Sequence, residues 1–555
     1  MIPPETALWA YAFAASALFP PVPLFDGATG SASLASLAPS PGAHAHTSPW
    51  LLSPSVSGAR ATAYSDDYYH RLHIDPARIV AGNVIGVQEH TVKLWNAHLH
   101  ASVLQDVQAI SAEGISWLGA IPLHMPVLHE AQAVVRITQD GPPVIDAVLR
   151  LLFGGQHYDL QITGQRVTPW LWLPDWGAEL VERYAWRTDV LTAHDGTEQR
   201  RALRIGASRQ VRWSLLAHSR ARRMLEHIGY GWGARVWARP DVPRGSRLSS
   251  AASTGAMSLS FPTALMRLEP GDMLMLHDGD VRAEIVEVAS IATGGVTLAR
   301  PTAGAWPIGT RVYRALSARL AAPIEVSYHT DDAARCDVQL QDLTHDDWPA
   351  AHGMPTYRGA PVLTLRHDWE QAPVLGMDRR MDEIDTGTGP IYWRDRTGRP
   401  QQRMTRAYWL HGRQAVDDFL QLLYWLRGRQ GVIWVDTQTP DHRVVADIPG
   451  IAVTIDVERC GYALYVAADR TRRDIQIDST AGIYRRRIIA AEDISPSVER
   501  LTIDAALGVA LTVHQIRCVS TLIPCRLGSD AVEIAWVTDG LARVEVDWRS
   551  VQDEL

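Results

Sequence analysis

The last two-thirds of the chain contain one sequence pattern twice. Residues 324–335 match residues 532–543 without a gap, and Glu, Thr, Asp, Ala and Arg recur at the same offsets. Upstream, each copy has an apolar stretch predicted to be helical, then a glycine and a tryptophan-containing strand. These landmarks are Trp213, Gly229 and Trp237 in the first copy and Trp409, Gly428 and Trp434 in the second. Recurrence in a fixed order indicates a duplicated module, and duplicated modules build assemblies more often than active sites. Coincidence in an Ala- and Arg-rich sequence is the alternative.

The composition is that of an ordinary globular protein and excludes several classes. The 555 residues are enough for three to four domains, and 46% are apolar. A net charge of −8 argues against nucleic acid as the main partner. Lys93 is the only lysine, so nearly all positive charge is arginine, which suits bidentate pairing with carboxylates at interfaces. Four cysteines make no disulfide framework and indicate buried free thiols.

Residues 1–60 are rich in Ala, Ser and Pro and are predicted to form an arm without a core of its own. The apolar run from Leu8 to Leu18 has Glu5 ahead of it instead of a positive charge, and Pro20 follows. These features favour a hydrophobic arm that packs on a neighbour over a secretion signal. A flexible tail is the alternative. The run is too short to span a bilayer, and no membrane insertion is expected.

The rest of the chain is predicted to be mainly β (α+β), with three folded domains. Residues 61–165 contain short strands separated by turn signals, which predicts a β-sandwich; the strands are expected at 78–80, 84–87, 91–96, 114–118 and 133–137. Module copy 1 is assigned to 166–350 and copy 2 to 351–555, each a mostly antiparallel barrel or sandwich carrying one helix.

One apolar stripe predicts the helix of each copy. The second helix has its stripe at three- and four-residue spacing and Gly428 as its left-handed cap; the stripe consists of Val416, Phe419, Leu420, Leu423 and Leu426. The first helix is expected to end at Gly229, with a stripe of Leu215, Leu216, Met224, Leu225 and Ile228.

Candidate chemical motifs are better explained structurally. The pairs His44/His46 and His98/His100 lack a third metal ligand at suitable spacing. The glycines at 229–233 have a helix before them and a strand after them, which is the reverse of a phosphate-binding loop. Asp331, Asp332 and Asp539 fall between two predicted strands, so hairpin turns explain them better than acid–base catalysis does. The sequence therefore predicts no enzyme, metal or cofactor.

Residues 61–165 also carry a resemblance to a known family. The sequence from Gly82 through 92–97 to 160–164 is similar to immunoglobulin-like domains of the spindle-protein and hydin type. The paired cysteines of antibody-type domains are missing. The resemblance therefore implies an immunoglobulin-like scaffold for packing or adhesion, without chemistry.

A second resemblance concerns the two modules. Residues 186–191 and 195–204 resemble a segment of tail proteins from siphophages that infect proteobacteria, and copy 2 contains a weaker version at 393–395 and 398–403. The resemblance implies a structural tail-tip protein. Its charged residues are then candidates for ion pairing or for subunit interfaces: Asp195, Glu198, Arg200, Arg204, Arg399 and Arg403.

The duplication and this resemblance together predict a symmetry adaptor. A trimer of a two-module chain presents six similar modules, which can dock on a six-fold tail tube. We therefore expect a homotrimeric hub-like or upper-baseplate protein of the virion, assembled in the host cytoplasm, with tail tube, tape measure and other baseplate proteins as partners. A hexameric distal-tail ring is the alternative.

Two competing classes remain. A receptor- or carbohydrate-binding adhesin would use tryptophans to stack on sugars. Six tryptophans lie in patterns that favour core packing instead: Trp95, Trp213, Trp237, Trp409, Trp434 and Trp536. A tail-tip hydrolase would need a pair of carboxylates in a cleft, and the sequence indicates none.

Overall fold

The computed structural model describes residues 69, 71–142, 144–279, 282–344, 348, 350–467 and 472–552. The predicted arm at 1–60 and the pair His44/His46 lie outside these residues. The described part contains 36 strands and three helices, which confirms the predicted mainly β fold. None of the described helices has the length and apolar character needed to cross a membrane.

The first nine strands form two sheets around one apolar core. The sheets have the orders β1-β3-β7-β5 and β6-β4-β8-β9-β2, and residues from both build the core. Buried and exposed residues alternate along β8, as expected for a half-buried strand. The strands are β1 (Leu72–Asp75), β2 (Arg78–Val84), β3 (Gln88–Asn96), β4 (Ser102–Ile110), β5 (Ile115–Leu118), β6 (Leu123–Met125), β7 (His129–Ile137), β8 (Val144–Phe153) and β9 (Gln156–Pro169).

The structure differs from the predicted sandwich in one strand and in the position of the domain boundary. The strand expected at 84–87 is wrong, because β2 ends at Val84 and the chain bends at Gly86 before β3. The predicted domain boundary at 165 falls inside β9, whose last residues pair in parallel with a strand of the following module. This domain is therefore joined to the next by backbone hydrogen bonds.

Module 1 follows, with one helix and a small inserted sheet that has its own core. Its elements are β10 (Leu180–Ala185), β11 (Thr188–Thr192), β12 (Glu198–Ala202), β13 (Ser208–His218), α1 (Ser219–Gly231), β14 (Val236–Pro240), a 3-10 turn (Val242–Arg244), β15 (Ser246–Arg247), β16 (Ser258–Ser260), β17 (Met273–His277), β18 (Ala283–Ala292), β19 (Gly295–Leu298), β20 (Arg311–Leu320), β21 (Glu325–Tyr328) and β22 (Ala333–Asp342).

Module 2 follows a short β-hairpin and adds a one-turn helix, α3, that was not predicted. The elements are β23 (Thr356–Tyr357) and β24 (Ala360–Pro361) in the hairpin, then β25 (Val374–Asp378), β26 (Met381–Ile384), β27 (Tyr392–Asp395), β28 (Gln401–His411), α2 (Arg413–Leu426), β29 (Ile433–Asp436), β30 (Thr454–Glu458), α3 (Tyr462–Tyr465), β31 (Asp474–Ser479), β32 (Gly482–Ser495), β33 (Val498–Ile503), a 3-10 turn (Val513–Gln515), β34 (Ile516–Leu527), β35 (Ala531–Thr538) and β36 (Leu541–Ser550).

The same pairing scheme occurs in both modules. β13 pairs with β10 and β22 in module 1, as β28 pairs with β25 and β36 in module 2. β20 pairs with β14, β17 and β22, as β34 pairs with β29, β31 and β36. The inserted sheets also correspond, with orders β17-β18-β19-β16 and β31-β32-β33-β30. Helices α1 and α2 pack in one core shared by both modules.

The tryptophan landmarks, however, are not equivalent. The repeat, continued at the same offset beyond residues 335 and 543, aligns Val338 of β22 with Val546 of β36. Val338 pairs with Trp213, whereas Val546 pairs with Arg406. Arg406 therefore holds the place of Trp213, and the alignment of Trp213 with Trp409 is wrong by three residues. A three-residue shift also reverses the face to which a strand side chain points.

The predicted bounds of the first helix are wrong, whereas those of the second are close. Leu215 and Leu216 lie in β13, and Gly229 lies inside α1, which ends at the cap residue Trp232. The stripe predicted for the second helix is buried throughout α2. Its C-cap is Arg427 in the left-handed region, and Gly428 follows at φ +68°.

The close packing at Gly428 leads to a stability prediction. A Cβ there would lie 2.5 Å from Asp530 Oδ1 and 2.8 Å from the Cβ of Trp186, whereas one on Gly398, at φ +67°, would meet nothing within 4 Å. We expect Gly428→Ala to lower the free energy of unfolding by about 2–5 kcal/mol, since about 1–2 of left-handed strain adds to about 1–3 of overpacking. Gly398→Ala should show the left-handed strain without the overpacking. Urea denaturation would measure both, and equal losses would contradict the prediction.

Candidate assembly interface

One antiparallel sheet runs through both modules and is open at both ends. Its strand order is β21-β22-β13-β10-β35-β36-β28-β25, and β10–β35 is the junction between module 1 and module 2. Among the described residues, β21 pairs only with β22 and β25 only with β28. Both terminal strands therefore expose an edge of unpaired backbone groups, a known template for pairing with another chain.

The β10–β35 junction buries one face and exposes the other. Leu180 is opposite Trp536, and Tyr184 is opposite Val532; all four side chains are buried. On the other face, Arg183 and Glu533 form an exposed ion pair at 3.6 Å.

A buried carboxylate lies on the apolar face of this junction. Glu182 accepts hydrogen bonds from Trp536 Nε1 at 3.1 Å, from the Tyr184 hydroxyl at 3.2 Å and from the Arg209 guanidinium. Burial alone would raise the pKa of Glu182, but Arg209 and Arg244 outweigh it and hold this pKa below its ordinary value. Glu182 is therefore ionised, and it connects the two modules through Trp536.

Arg244 extends the cluster to the helix of module 2. Its guanidinium lies 3.5 Å from Glu182 and 3.4 Å from Asp417 on α2. Arg209 also donates to Asp241 at 2.7 Å. Sequence reasoning missed this cluster, although one signal was present: Glu182 occupies the apolar phase of β10, between Leu180 and Tyr184.

Of the six predicted site residues, Glu198 makes the contact between modules. Arg526 of β34 donates to both of its carboxylate oxygens, at 2.6 and 2.7 Å, and the two side chains are only 2% and 3% exposed. Arg200 lies 3.4 Å from the same carboxylate. Burial raises the pKa of Glu198, but the hydrogen bonds and charge of Arg526, with Arg200, lower it overall. Glu198 and Arg200 thus belong to an ion cluster inside one chain.

The base of the β11–β12 hairpin is also fixed to module 2. Asp530 accepts from the backbone N–H of Thr188 at 2.9 Å and from that of Arg429 at 3.0 Å. The Arg429 side chain donates to the Thr188 carbonyl at 2.8 Å. Trp186 and Tyr424 pack edge to face, with 5.3 Å between ring centroids. The hairpin of module 1 therefore lies against module 2.

Asp195 and Arg204 make local contacts instead. Asp195 accepts from the N–H and the hydroxyl of Thr197, at 3.0 and 2.7 Å, in the β11–β12 turn. Arg204 donates to the Ala185 carbonyl at 3.4 Å. These bonds shape the hairpin, and a subunit-interface role for either residue stays a prediction.

The two candidates in copy 2 lie in different places. Arg399 is near the β11–β12 turn: hydrogen bonds from Thr197, with the charge of Arg399 as a smaller cause, lower the pKa of Asp195. Arg399 donates to the Gln552 carbonyl at 3.2 Å, and Arg403 donates to Asp547 at 2.8 Å on the exposed face of the sheet. The weaker version of the segment at 398–403 is not the structural counterpart of 195–204, because Arg403 lies in β28 and holds the place of Gln210 in β13. The counterpart of the β11–β12 hairpin is β26–β27, which connects β25 with β28.

The two ends of the sheet expose apolar side chains. The β25 edge surface consists of β25 and the β26–β27 hairpin; its exposed residues are Val374, Leu375, Met377, Ile384, Tyr392 and Trp393. The β21 edge surface consists of 324–328 and the C-terminal end of α1, with Tyr328, Tyr230 and Trp232 exposed. Tyr230 is 98% exposed.

The discounted motifs lie where turns or packing explain them. Asp331 and Asp332 lie between β21 and β22, and Asp539 lies between β35 and β36, as predicted. His98 and His100 stack with 4.7 Å between ring centroids. The described residues contain no group of three possible metal ligands.

All four cysteines are free thiols, but the prediction that they are buried holds only in part, because Cys460 is exposed and Cys518 is half-buried.

No protein-family model matches the chain, and a search of curated proteins found no significant relative.

Proposed function

We propose that this protein is a non-enzymatic structural component of a bacteriophage tail tip. Three copies would form a ring of six modules that joins the six-fold tail tube to three-fold hub or fibre proteins. The observation that carries the proposal is the β10–β35 junction, which joins two similarly paired modules edge to edge and leaves an open edge at each end. Such a unit can be extended by further copies until a ring closes.

The two faces of the sheet suit a wall around a channel. Helices α1 and α2 pack on the apolar face. The opposite face is polar and carries exposed charges of both signs: Arg183, Arg212, Arg403, Glu325, Asp337, Asp378, Glu533 and Glu545. We place this face toward the ring axis, because the bulk of both modules lies on the other side.

The remaining parts have roles consistent with this position. The N-terminal sandwich, which we interpret as immunoglobulin-like, would decorate the outside of the ring or grip a neighbour. Tail tube, tape measure and other baseplate proteins would be the partners, in a virion assembled in the host cytoplasm. A hexameric distal-tail ring is the alternative within the same class.

A sugar-binding adhesin has less support. Trp213, Trp237, Trp434 and Trp536 are buried, which confirms their predicted core packing. Trp95 and Trp409 are only half-buried, so the prediction is wrong for these two. The indole faces of the four buried tryptophans contact other protein side chains and are not available for stacking on sugar rings.

Native mass spectrometry and particle images of the purified chain would test the proposal. We expect a trimer of 61.3 kDa chains and a three-fold ring with pseudo-six-fold density. A hexamer would favour the distal-tail alternative. A stable monomer that binds glycans would contradict both assemblies.

A further inference from the structure

We propose that the β25 edge surface of one copy pairs with the β21 edge surface of a second copy, in the register and orientation of the internal β10–β35 junction. This inference rests on the proposed ring and names the contact that closes it. The occupant of each open edge is thus a second copy of this chain.

The internal junction defines the expected register. Val211 and Met404 hold equivalent positions, because their partners in β22 and β36 are matched by the repeat. Val211 pairs with Glu182 of β10, and Met404 pairs with Leu375 of β25. Leu375 therefore takes the place of Glu182, and β25 takes the place of β10.

The same argument places β21 where β35 lies. The repeat aligns Tyr328 with Trp536 and Ser327 with Ala535. Because Ala535 pairs with Val181 inside the chain, Ser327 of one copy would pair with Val374 of the next. The full register sets Pro373, Val374, Leu375, Gly376 and Met377 opposite Tyr328, Ser327, Val326, Glu325 and Ile324.

The side chains that would meet are complementary. On the face that the internal junction buries, Leu375 would be opposite Val326 and Met377 opposite Ile324. Both sides are apolar, so pairing would remove exposed apolar surface from water. Leu375 and Met377 are 42% and 54% exposed in the single chain, whereas Glu182 and Tyr184, which hold the equivalent places in β10, are fully buried.

The hairpins extend the same contact. Hairpin β11–β12 lies on module 2, where Glu198 meets Arg526. The equivalent hairpin β26–β27 would lie on module 1 of the neighbouring copy. Tyr392 and Trp393 of this hairpin, which are exposed in the single chain, would then be buried in the contact. The end of α1, with Tyr230, would then pack near that hairpin, as α2 packs against Trp186.

The outer contact differs from the internal one in charge. Gln402 holds the place of Arg209 and Leu375 that of Glu182, so the outer junction contains neither member of this buried ion pair. The internal junction joins two parts of one chain and contains a buried ion pair. The outer junction would join two separately folded chains through apolar side chains. Because the two surfaces differ, the association is head-to-tail, and it forms a ring when the rotation between successive copies closes.

Disulfide trapping would test the register. Val374→Cys combined with Ser327→Cys, in a Cys460→Ser background that removes the exposed native thiol, should form disulfides between chains on oxidation. Non-reducing gels should then show covalent dimers and trimers as the main species. The control pairs Val374→Cys with Ile291→Cys, because Ile291 is exposed on β18 and belongs to neither edge surface.

A single exposed substitution gives an independent readout. Leu375→Asp should weaken association by roughly tenfold or more, because the ring would bury an unpaired charge, while circular dichroism stays unchanged. Ile291→Asp is its control. Trimers that show neither matched disulfides nor weakening by Leu375→Asp would overturn this interface and leave the proposed trimer standing. A monomeric wild-type chain would overturn both.

Discussion

Replacing Glu198 by alanine is expected to lower the free energy of unfolding of the two-module unit by about 3–5 kcal/mol, the cost of removing one partner of a buried ion pair. The carboxylate and Arg526 are almost fully buried. Arg526 would keep its charge, and its remaining hydrogen-bond acceptor among the described residues would be the uncharged Leu527 carbonyl. The first unfolding transition in urea, followed by tryptophan fluorescence, would measure the loss.

A matched control lies in the same hairpin. Asp195 is exposed in the turn and accepts hydrogen bonds from the N–H and the hydroxyl of Thr197, two residues along the chain. Asp195→Asn should therefore change the free energy of unfolding by no more than about 0.5–1 kcal/mol. A similar loss in both variants would show that hairpin folding, and not the buried ion pair, is responsible.

The same pair gives a pH dependence with a defined sign. The folded-state pKa of Glu198 is lowered, so its contribution is fully present above the unfolded-state value of about 4.3 and is lost as the pH falls through the folded-state pKa. The stability difference between wild type and Glu198→Ala should stay constant from about pH 8 to pH 5 and narrow below about pH 4. Urea midpoints of both proteins across this range would measure it. A difference that does not narrow in acid would contradict an ionic origin.

Glu182→Leu is the second substitution with a large expected effect, again about 3–5 kcal/mol of unfolding free energy. It removes the acceptor for Trp536 Nε1 and one of the carboxylates that neutralise Arg209 and Arg244. Because Trp536 belongs to module 2, the loss should also loosen the β10–β35 junction. Urea denaturation would measure the stability, and limited proteolysis between the modules would report the loosening.

Glu533→Gln is the control for the same strand pair. Its ion pair with Arg183 lies on the exposed face, with side chains 58% and 45% exposed, and such pairs contribute about 0–1 kcal/mol. If Glu182→Leu lowered the free energy of unfolding no more than Glu533→Gln does, Asp241 alone would be sufficient to neutralise Arg209 and Arg244.

The spacing of apolar residues predicted the elements that have one buried face and one exposed face. The stripe of Val416, Phe419 and Leu423 predicted α2, because the helix has one face against the core and one toward solvent. The first helix was misplaced because Leu215 and Leu216 end a buried strand that runs directly into α1. Adjacent apolar residues have no period that distinguishes a strand end from a helix start.

The contacts of the site depend on distant parts of the chain. Glu198 was singled out by resemblance, but its partner Arg526 is 328 residues away, and no local pattern relates them. Arg399 and Arg403 were chosen by the same resemblance, yet their hydrogen bonds are to Gln552 and Asp547 of module 2, because the alignment matched a hairpin strand with the start of β28.

The sequence alone determined that the chain is mainly β and that one segment occurs twice, because alternation and repeated residues at fixed offsets are properties of neighbouring positions. Only the tertiary structure decided which strand edges meet. The β10–β35 pairing fills one edge of each module and leaves β21 and β25 open. That choice depends on backbone groups brought together from opposite ends of the two modules, and their proximity is not encoded in any single stretch of sequence.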